Sequence, residues 1–150
     1  MTSYLLDTSV LVRRADLSAN DHRLTIAVLN KLIGAGHNLY YTAQNAIELW
    51  SVMTRPTASN GLGVTPQDAH NQIQRLPTIL DFLPDRPEVF PTWEGLVSQS
   101  QSSGRQVHDG RLAAVAIVYG VDSILTFNTA DFVRYQPIEP NLAIEHPESL

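Results

Sequence analysis

Residues 107–132 read VHDGRLAAVAIVYGVDSILTFNTADF, and this stretch predicts a helix, a strand and a polar turn in succession. Residues 109–119 are apolar on nearly all sides and are followed by Gly120, which is typical of a helix buried on several faces. Residues 123–126 then predict a buried strand, and a turn or short helix is expected at 128–132. A buried helix that leads into a buried strand favours an α/β fold.

The same alternation of strand and helix continues along the rest of the chain. Short apolar runs predict the strands, and longer runs with a broad apolar face predict the helices. The strands are expected at residues 4–6, 38–42, 123–126 and 142–144. The helices are expected at about residues 8–16, 21–33, 42–53, 66–75 and 109–119. This order predicts a three-layer α/β fold, in which helices cover both faces of a mainly parallel central sheet.

Two parts of the chain are less regular. TRPTASNGLGVTP, residues 54–66, is rich in Pro, Gly, Asn and Ser, so it is predicted to be a loop and the least ordered stretch. Residues 80–83 indicate a short strand or an extended connection. Val89 and Phe90 predict another short strand, after which Thr92 would cap a helix that ends in the polar run SQSQSSG.

Length and composition limit the class of protein. The 150 residues match one ordinary domain, residues 1–150, and the absence of cysteine excludes disulfides, thiolate zinc ligands and thiol nucleophiles. The amino terminus, MTSYLLDTSV, lacks the pattern of a secretory signal, which favours a cytoplasmic protein without a membrane segment. The net charge of −5 disfavours a broadly basic nucleic-acid surface, although carboxylates gathered at one metal site would leave the remaining surface less negative.

Acidic or amide side chains stand where a predicted strand gives way to a helix, or just inside the helix. They are Asp7, Glu48, Asp109, and Asn128 together with Asp131. Because the carboxyl ends of parallel strands meet at one crevice, these side chains are expected to converge. Clustered carboxylates are hard oxygen ligands of the kind that Mg²⁺ and Mn²⁺ prefer. The pattern therefore predicts metal-dependent cleavage of a phosphodiester.

Each of these residues also has a structural explanation. Asp7 and Asp109 can act as helix caps, and Asn128 and Asp131 can stabilise turns through their own backbone. Glu48 lies in a largely apolar run, where an unpaired charge is costly, so a functional role is favoured for it. Asn128 follows its strand as Asp7 follows its own, which makes it the better-placed candidate of the last pair.

Hydroxyl and basic residues near these positions are candidates for supporting roles. Ser9 and Thr126 can hydrogen-bond to a carboxylate or to a metal-bound water. Arg111 is a candidate contact for an RNA phosphate, although a solvated surface charge is the simpler interpretation. The other basic residues near the motifs are Arg13, Arg14 and Arg55. His108 is the only histidine beside an acidic candidate, and a surface position is favoured for it.

Other chemistries find less support. The chain contains no G-x-S-x-G elbow, no Walker phosphate loop and no G-x-G-x-x-G fingerprint. A phosphatase-like or receiver-type domain with an aspartyl-phosphate is a rival interpretation, since it also uses carboxylates at strand ends. A receiver would place a lysine near the pocket, and the only lysine here, Lys31, lies inside a predicted helix.

Three segments together resemble the PIN-domain ribonucleases, and particularly the VapC-type toxins of bacterial toxin–antitoxin pairs. They are LLDTSVLV at residues 5–12, NAIELW at residues 45–50, and the stretch at 107–132. The resemblance implies a PIN-like fold and an endoribonuclease that needs Mg²⁺ or Mn²⁺. It assigns catalytic roles to Asp7, Glu48, Asp109 and Asn128, and it makes the first three the metal ligands.

The fourth position of the family's acidic motif is occupied by Asn128 and not by an aspartate. Asn128 offers an amide oxygen but no charge. Asp131 would compensate, and one-metal and two-metal hydrolysis both stay open. The resemblance further implies an RNA substrate, a homodimer, and an antitoxin that covers the site, with Trp50, Met53 and Trp93 as hydrophobic contact candidates. The alternative is a catalytically silent PIN-like module that binds RNA or acts as a scaffold.

Overall fold

A computed structural model describes residues 1–150, in which five strands form one parallel sheet. The strands are β1 (Ser3–Leu6), β2 (Asn38–Thr42), β3 (Asp81–Leu83), β4 (Ser123–Leu125) and β5 (Ala143–Glu145). The helices are α1 (Thr8–Ala15), α2 (His22–Gly34), α3 (Ala43–Thr54), α4 (Pro66–Arg75), α5 (Val89–Gln99) and α6 (Gln106–Tyr119). Short 3₁₀ turns occur at Thr57–Ser59, Leu76–Thr78, Thr129–Asp131, Val133–Tyr135 and Pro147–Ser149.

Successive side chains of each strand point to opposite faces of the sheet, and both faces are packed. In β1, Tyr4 and Leu6 belong to one hydrophobic core and Leu5 belongs to the other. The first core also contains buried residues of α1, α2, α3 and α4, whereas the second contains those of α5 and α6. The predicted three-layer α/β fold with a mainly parallel sheet is therefore confirmed.

The strand order β3-β2-β1-β4-β5 places β1 at the centre of the sheet. The chain moves outward from β1 in one direction through β2 and β3, and in the other through β4 and β5. This reversal is the switch point at which open α/β sheets bind their ligands. Leu6 pairs in register with Leu125, and the Asp7 N–H donates to the Leu125 carbonyl at 2.9 Å. The residues that follow β1 and β4 are consequently neighbours.

The predicted strand at Val89 and Phe90 is wrong, because these residues form the first turn of α5. Pro91 lies in that turn, where its missing N–H removes no helical hydrogen bond. The buried residues Val89 and Leu96 are seven apart and share one helix face. Thr92 is therefore inside α5 and does not cap it.

Helix α6 begins at Gln106, earlier than the sequence predicts. Asp109 consequently lies inside the first turn of α6 and is not its N-cap residue. The capping explanation for Asp109 is therefore wrong. Its carboxylate is still near the positive end of the helix dipole, which favours a negative charge there.

Residues 54–66 form a loop as predicted, but its second half is fixed against α3. The N–H of Leu62 donates to the Val52 carbonyl at 3.0 Å, and that of Val64 donates to the Met53 carbonyl at 2.9 Å. Gly61 permits this return, since an added Cβ would lie only 1.9 Å from the Arg55 carbonyl oxygen. The side chains of Leu62 and Val64 pack on the first core, so the loop is a structured edge of the fold.

None of the helices has the length and apolar character needed to cross a lipid bilayer.

Candidate functional site

Asp7 follows β1 directly, and its side chain is held by two hydroxyl groups. Ser9 Oγ donates to Asp7 Oδ2 at 2.7 Å, and Thr126 Oγ1 donates to the same oxygen at 2.8 Å. Asp7 stands at the N-cap position of α1 but forms no side-chain capping hydrogen bond. Oδ2 accepts both hydrogen bonds, so Oδ1 is the oxygen that remains able to coordinate a cation. Asp7 is only 9% exposed, and its carboxylate is oriented by its neighbours and not by the helix it precedes.

The two hydroxyls also fix the chain that leaves β4. Ser9 Oγ accepts a hydrogen bond from the Phe127 N–H at 3.1 Å, and Thr126 Oγ1 accepts one from the Asn128 N–H at 2.9 Å. Each hydroxyl therefore donates to Asp7 while it accepts from the backbone. Because each hydroxyl uses both its donor and an acceptor lone pair, the network holds the carboxylate and the loop after β4 in one arrangement.

Glu48 lies on α3 and faces the same region. Thr8 Oγ1 donates to Glu48 Oε1 at 2.9 Å, and Asn45 Nδ2 donates to Thr8 Oγ1 at 3.3 Å. Asn45 is fully buried and forms a capping box with Thr42 at the start of α3. Burial raises the pKa of Glu48 above its ordinary value, and the charge of Asp7 adds to that effect. Asn45 was not among the predicted residues, although the T-x-x-N spacing before an apolar helix indicated the cap.

Asp109 has the largest shift of any carboxylate in the protein. Burial raises its pKa to about 7, and the charges of Asp7, Asp131 and Glu48 contribute in that order. Arg134 acts in the opposite direction but does not compensate. Three carboxylates from distant parts of the sequence are thus near enough to Asp109 for their charges to act on it.

Asp131, and not Asn128, is tied to this cluster. Asp131 lines the cleft described below and raises the pKa of Asp109. Asn128 contributes its backbone N–H to Thr126, and its exposed side chain makes no hydrogen bond. Asp131 is the last residue of the 3₁₀ turn Thr129–Asp131, which returns the chain to the site. The order of preference from the sequence is thus reversed by the geometry of the turn.

Three of the four carboxylates, those of Glu48, Asp109 and Asp131, border an open cleft of about 860 Å³, whereas the buried Asp7 does not line it. Three arginines line it, namely Arg55, Arg105 and Arg111. Of the basic candidates from the sequence, Arg13 is instead engaged with Asp21 at 2.9 Å. Arg14 is likewise absent from the cleft lining. An acidic floor with a rim of arginines is suited to a phosphate that approaches with a cation.

Gln44 connects the two helices that carry Glu48 and Asp109. Its Nε2 donates to the His108 carbonyl at 2.8 Å, and its Oε1 accepts from Arg111 Nη1 at 3.0 Å. Arg111 also donates to Asp85 Oδ2 at 2.7 Å. The His108 side chain is exposed at the rim of the cleft. Gln44 therefore fixes the spacing of α3 and α6, a role that no sequence pattern indicated.

Arg134 is a further residue that sequence reasoning missed. Its charge lowers the pKa of Asp109, and its Nε is buried without a hydrogen-bond partner. It lies in the second 3₁₀ turn after β4, Val133–Tyr135, where the local sequence contains no signal for a site. Arg134 is a positive charge near the carboxylates that can favour their ionised form.

The donor set of the cluster matches a hard divalent cation. All of its candidate ligand atoms are oxygens, and the pKa of Asp109 is raised by burial first and then by the charges of the neighbouring carboxylates. No three His, Asp or Glu side chains are close enough to enclose an ion by themselves. Mg²⁺ is commonly held by one or two carboxylates and several waters, so this arrangement fits it.

The hydrophobic candidates for partner contacts separate into core and surface. Met53 is 1% exposed and belongs to the first core, so it cannot contact a partner. Ile47 of α3 is exposed and lines the cleft, and Trp50, three residues further along the same helix, is exposed as well. Trp93 is partly exposed on α5, and its Nε1 donates to the Val107 carbonyl at 2.7 Å.

The sequence profile of the PIN domain family matches residues 4–136. No curated protein is significantly similar to the chain in sequence. Among solved structures, the fold is similar to VapBC2 from Rickettsia felis bound to a DNA fragment from its promoter, with 16% identity and a TM-score of 0.68 over 97% of this chain and 98% of that one. It is also similar to FitAcB from Neisseria gonorrhoeae, with 19% identity and a TM-score of 0.68 over 98% and 99% of the two chains.

A third similar structure is VapC20 from Mycobacterium tuberculosis, a toxin that cleaves the sarcin-ricin loop. It shares 15% identity and a TM-score of 0.57 with this chain, over 81% of this chain and 86% of VapC20. At these low identities, the comparison shows a similarity of fold alone. The shared fold extends over most of both chains in all three cases.

Proposed function

The chain belongs to the PIN domain family, and from that premise we propose that it is a metal-dependent endoribonuclease that acts as the toxin of a toxin–antitoxin pair. The observation that carries the proposal is the acidic cleft lined by Glu48, Asp109 and Asp131, with the buried Asp7 close enough to act on Asp109; burial, together with the charges of Asp7, Asp131 and Glu48, raises the pKa of Asp109 to about 7. Four carboxylates at the switch point of a parallel sheet, bordered by arginines, suit the hydrolysis of a charged phosphodiester.

Asp7, Asp109 and Glu48 would hold Mg²⁺ or Mn²⁺, and Asp131 is the better-supported fourth residue than Asn128. When bound, such a cation lowers the pKa of a coordinated water and neutralises charge on the scissile phosphate. Ser9 and Thr126 keep the Asp7 carboxylate in one rotamer, because both donate to its Oδ2. Thr8 does the same for Glu48. Preorganisation of this kind avoids reorientation of the ligands during the reaction.

The arginines of the cleft would bind the RNA backbone. Arg55 and Arg105 line the cleft without a carboxylate ion-pair partner, so their charges are free for phosphates. Arg111 is paired with Asp85 at 2.7 Å, so it would act mainly by keeping the rim in position. These contacts are independent of base sequence and would position the strand across the carboxylates.

The proposed partner is an antitoxin protein that covers the cleft. Solved VapBC structures, which belong to a family of toxin–antitoxin systems, have a similar fold, and this supports an antitoxin partner here. Ile47, which lines the cleft, is 69% exposed, and Trp50 of the same helix is 37% exposed, so both offer apolar surface to a partner. We also propose a homodimer of this chain, as one domain over residues 1–150, that works in the cytoplasm.

The test is cleavage of a mixed pool of structured and single-stranded RNA by the purified protein. Parallel reactions would contain Mg²⁺, Mn²⁺ or a chelator. Asp7→Asn is the control for contaminating nucleases, since it preserves the size of the side chain. Products that need the cation and are absent with Asp7→Asn would support the proposal. The absence of cleavage together with the absence of cation binding in calorimetry would contradict it and would favour a silent RNA-binding module.

A further inference from the structure

A second and smaller pocket of about 430 Å³ lies beside the acidic cleft. Asp85, His108 and Arg111 line both of them, so the two spaces are adjacent. The walls of the smaller pocket are mostly apolar, and its largest side chains are Phe90 and Trp93 of α5. No step of the proposed hydrolysis uses these aromatic residues.

The two aromatic rings are held in place but are not covered. Trp93 Nε1 donates to the Val107 carbonyl at 2.7 Å, which fixes the indole ring against α6. Phe90 meets Trp93 edge to face, with ring centroids 5.7 Å apart and planes at 88°. Phe90 nevertheless remains 56% exposed. A rigid, exposed aromatic pair is a stacking surface that lacks its partner.

The charges around the pocket indicate the chemistry of that partner. Arg86 and Arg111 flank it, and the Arg86 guanidinium is held 4.5 Å above the Tyr119 ring. Arg55 and Arg105 continue the basic rim along the cleft. Four of the ten basic residues of the chain therefore line the two spaces, and Asp85 is the acidic residue of the smaller pocket, where it pairs with Arg111. A partner with flat apolar groups on an anionic backbone would match, and single-stranded nucleic acid has that chemistry.

We propose that this pocket binds one unpaired RNA base, stacked against Phe90 and Trp93, next to the phosphate in the acidic cleft. The inference rests on the proposed function, to which it adds a base-binding subsite. A base inside a duplex cannot stack on a protein ring without leaving its neighbours, so the substrate is a single-stranded loop, bulge or end. A pocket of 430 Å³ accommodates one nucleoside and leaves the adjacent phosphates at the arginines.

The experiment measures RNA binding without cleavage. A short labelled single-stranded RNA of mixed sequence is titrated with protein in the presence of chelator, and fluorescence anisotropy gives the Kd. Phe90→Ala should weaken binding about 5- to 100-fold, as expected for the loss of one base stack. Phe90→Trp should restore the affinity. Phe82→Ala is the matched control, because Phe82 is 47% exposed on β3 and lies outside the pocket.

An abasic version of the RNA tests whether the base itself is recognised. Removal of the stacked base should weaken wild-type binding as much as Phe90→Ala does, and the two changes combined should cost no more than either alone. Trp93→Ala is a second probe of the same surface, with circular dichroism as the check on folding. Its effect should likewise disappear with the abasic RNA.

Two results would overturn the inference. One is an unchanged Kd in Phe90→Ala together with an unchanged Kd for the abasic RNA. The other is a Phe90→Ala variant that binds RNA as tightly as the wild type but no longer self-associates in light scattering. That result would assign the pocket to a second copy of the chain. Failure of the nuclease proposal is distinguishable, because base-dependent binding would then persist without cleavage in Mg²⁺ or Mn²⁺.

Discussion

Thr126 donates a hydrogen bond to the carboxylate of Asp7 at 2.8 Å, although 119 residues separate the two in sequence. Asp7 directly follows β1 and Thr126 directly follows β4, and the parallel register of these strands makes the two residues adjacent. The site therefore depends on the pairing of the two central strands. A slip in that pairing would separate the carboxylate from its donor.

Replacement of Thr126 by Val tests this contact, because Val keeps the shape of the side chain and removes its hydroxyl. The change leaves a buried carboxylate oxygen with one donor fewer and also removes the acceptor for the Asn128 N–H. We expect a loss of about 1–3 kcal/mol in the free energy of unfolding. Urea denaturation measures it. Thr129→Val is the control, since the Thr129 side chain forms no hydrogen bond, and an equal loss there would argue against the Asp7 contact as the cause.

Asp109 should make the metal-free protein less stable as pH rises. Its pKa is raised from 3.8 in the unfolded chain to about 7 in the fold, so the folded state retains a proton that the unfolded state has lost. The destabilisation is absent at a pH below 3.8, the pKa in the unfolded chain. It grows as the pH rises from there and is complete above about 7, the pKa in the fold. Melting temperatures in chelator from acidic to mildly alkaline pH measure it. Asp109→Asn should flatten this dependence, and an unchanged pH profile would show that the carboxylate is ionised in the fold.

Cation binding should release protons from the site near neutral pH. A cation favours the ionised form of Asp109, whose pKa of about 7 leaves it partly protonated there. Calorimetric titration with Mn²⁺ in two buffers of different ionisation enthalpy gives the number of protons released. We expect a clear release in the wild type and little in Asp109→Asn. Equal heats in both buffers for the wild type would contradict the assignment of Asp109 as the proton source.

Asp131 and Asn128 can be compared directly as the fourth residue of the site. Asp131 interacts electrostatically with Asp109, whereas the Asn128 side chain makes no hydrogen bond. Asp131→Asn should therefore weaken Mn²⁺ binding several-fold, because it removes one charge from the cluster. Asn128→Ala should leave the affinity nearly unchanged. The opposite order in calorimetry would return the fourth position to Asn128.

Gly110 sets how closely α6 approaches its neighbours, right beside Asp109. A Cβ at this position would lie 2.8 Å from Val97 Cγ1 and 3.0 Å from the Tyr135 hydroxyl. Gly110→Ala should cost about 1–3 kcal/mol of stability through overpacking. Gly95→Ala on α5 is the matched control, because its nearest neighbour is a flexible Gln99 atom at 3.8 Å. That change should instead stabilise the protein by up to about 1 kcal/mol, and denaturation curves of both variants test the contrast.

Local patterns in the sequence predicted the layers of the fold because strands and helices here are short, apolar and clearly separated. Asp7 and Glu48 were visible for the same reason, since each stands at or just inside the start of a helix that follows a buried strand. Asp131 could not be preferred over Asn128, because their order depends on the path of one 3₁₀ turn. Val89 and Phe90 were mistaken for a strand because two apolar residues before a proline fit either structure.

The residues that hold the site together were harder to predict than its carboxylates. Gln44, Arg105 and Arg134 have no local signature, and their positions depend on how helices and turns pack after the chain has folded. The basic candidates from the sequence were chosen by nearness along the chain, which explains why Arg13 is engaged elsewhere. Distance in sequence is a poor guide to the charges around a cleft formed by several elements.

The amide of Gln44 is held in one orientation by hydrogen bonds at both of its ends, and this fixes the width of the cleft. Its nitrogen faces a carbonyl oxygen of α6 and its oxygen faces the Arg111 guanidinium, so a half-turn of the amide would break both hydrogen bonds. The two helices that carry Glu48 and Asp109 are therefore held apart at a set separation before any ion arrives. We expect the site to discriminate between cations by radius, and Gln44→Ala to reduce the ratio of its affinities for Mn²⁺ and Ca²⁺.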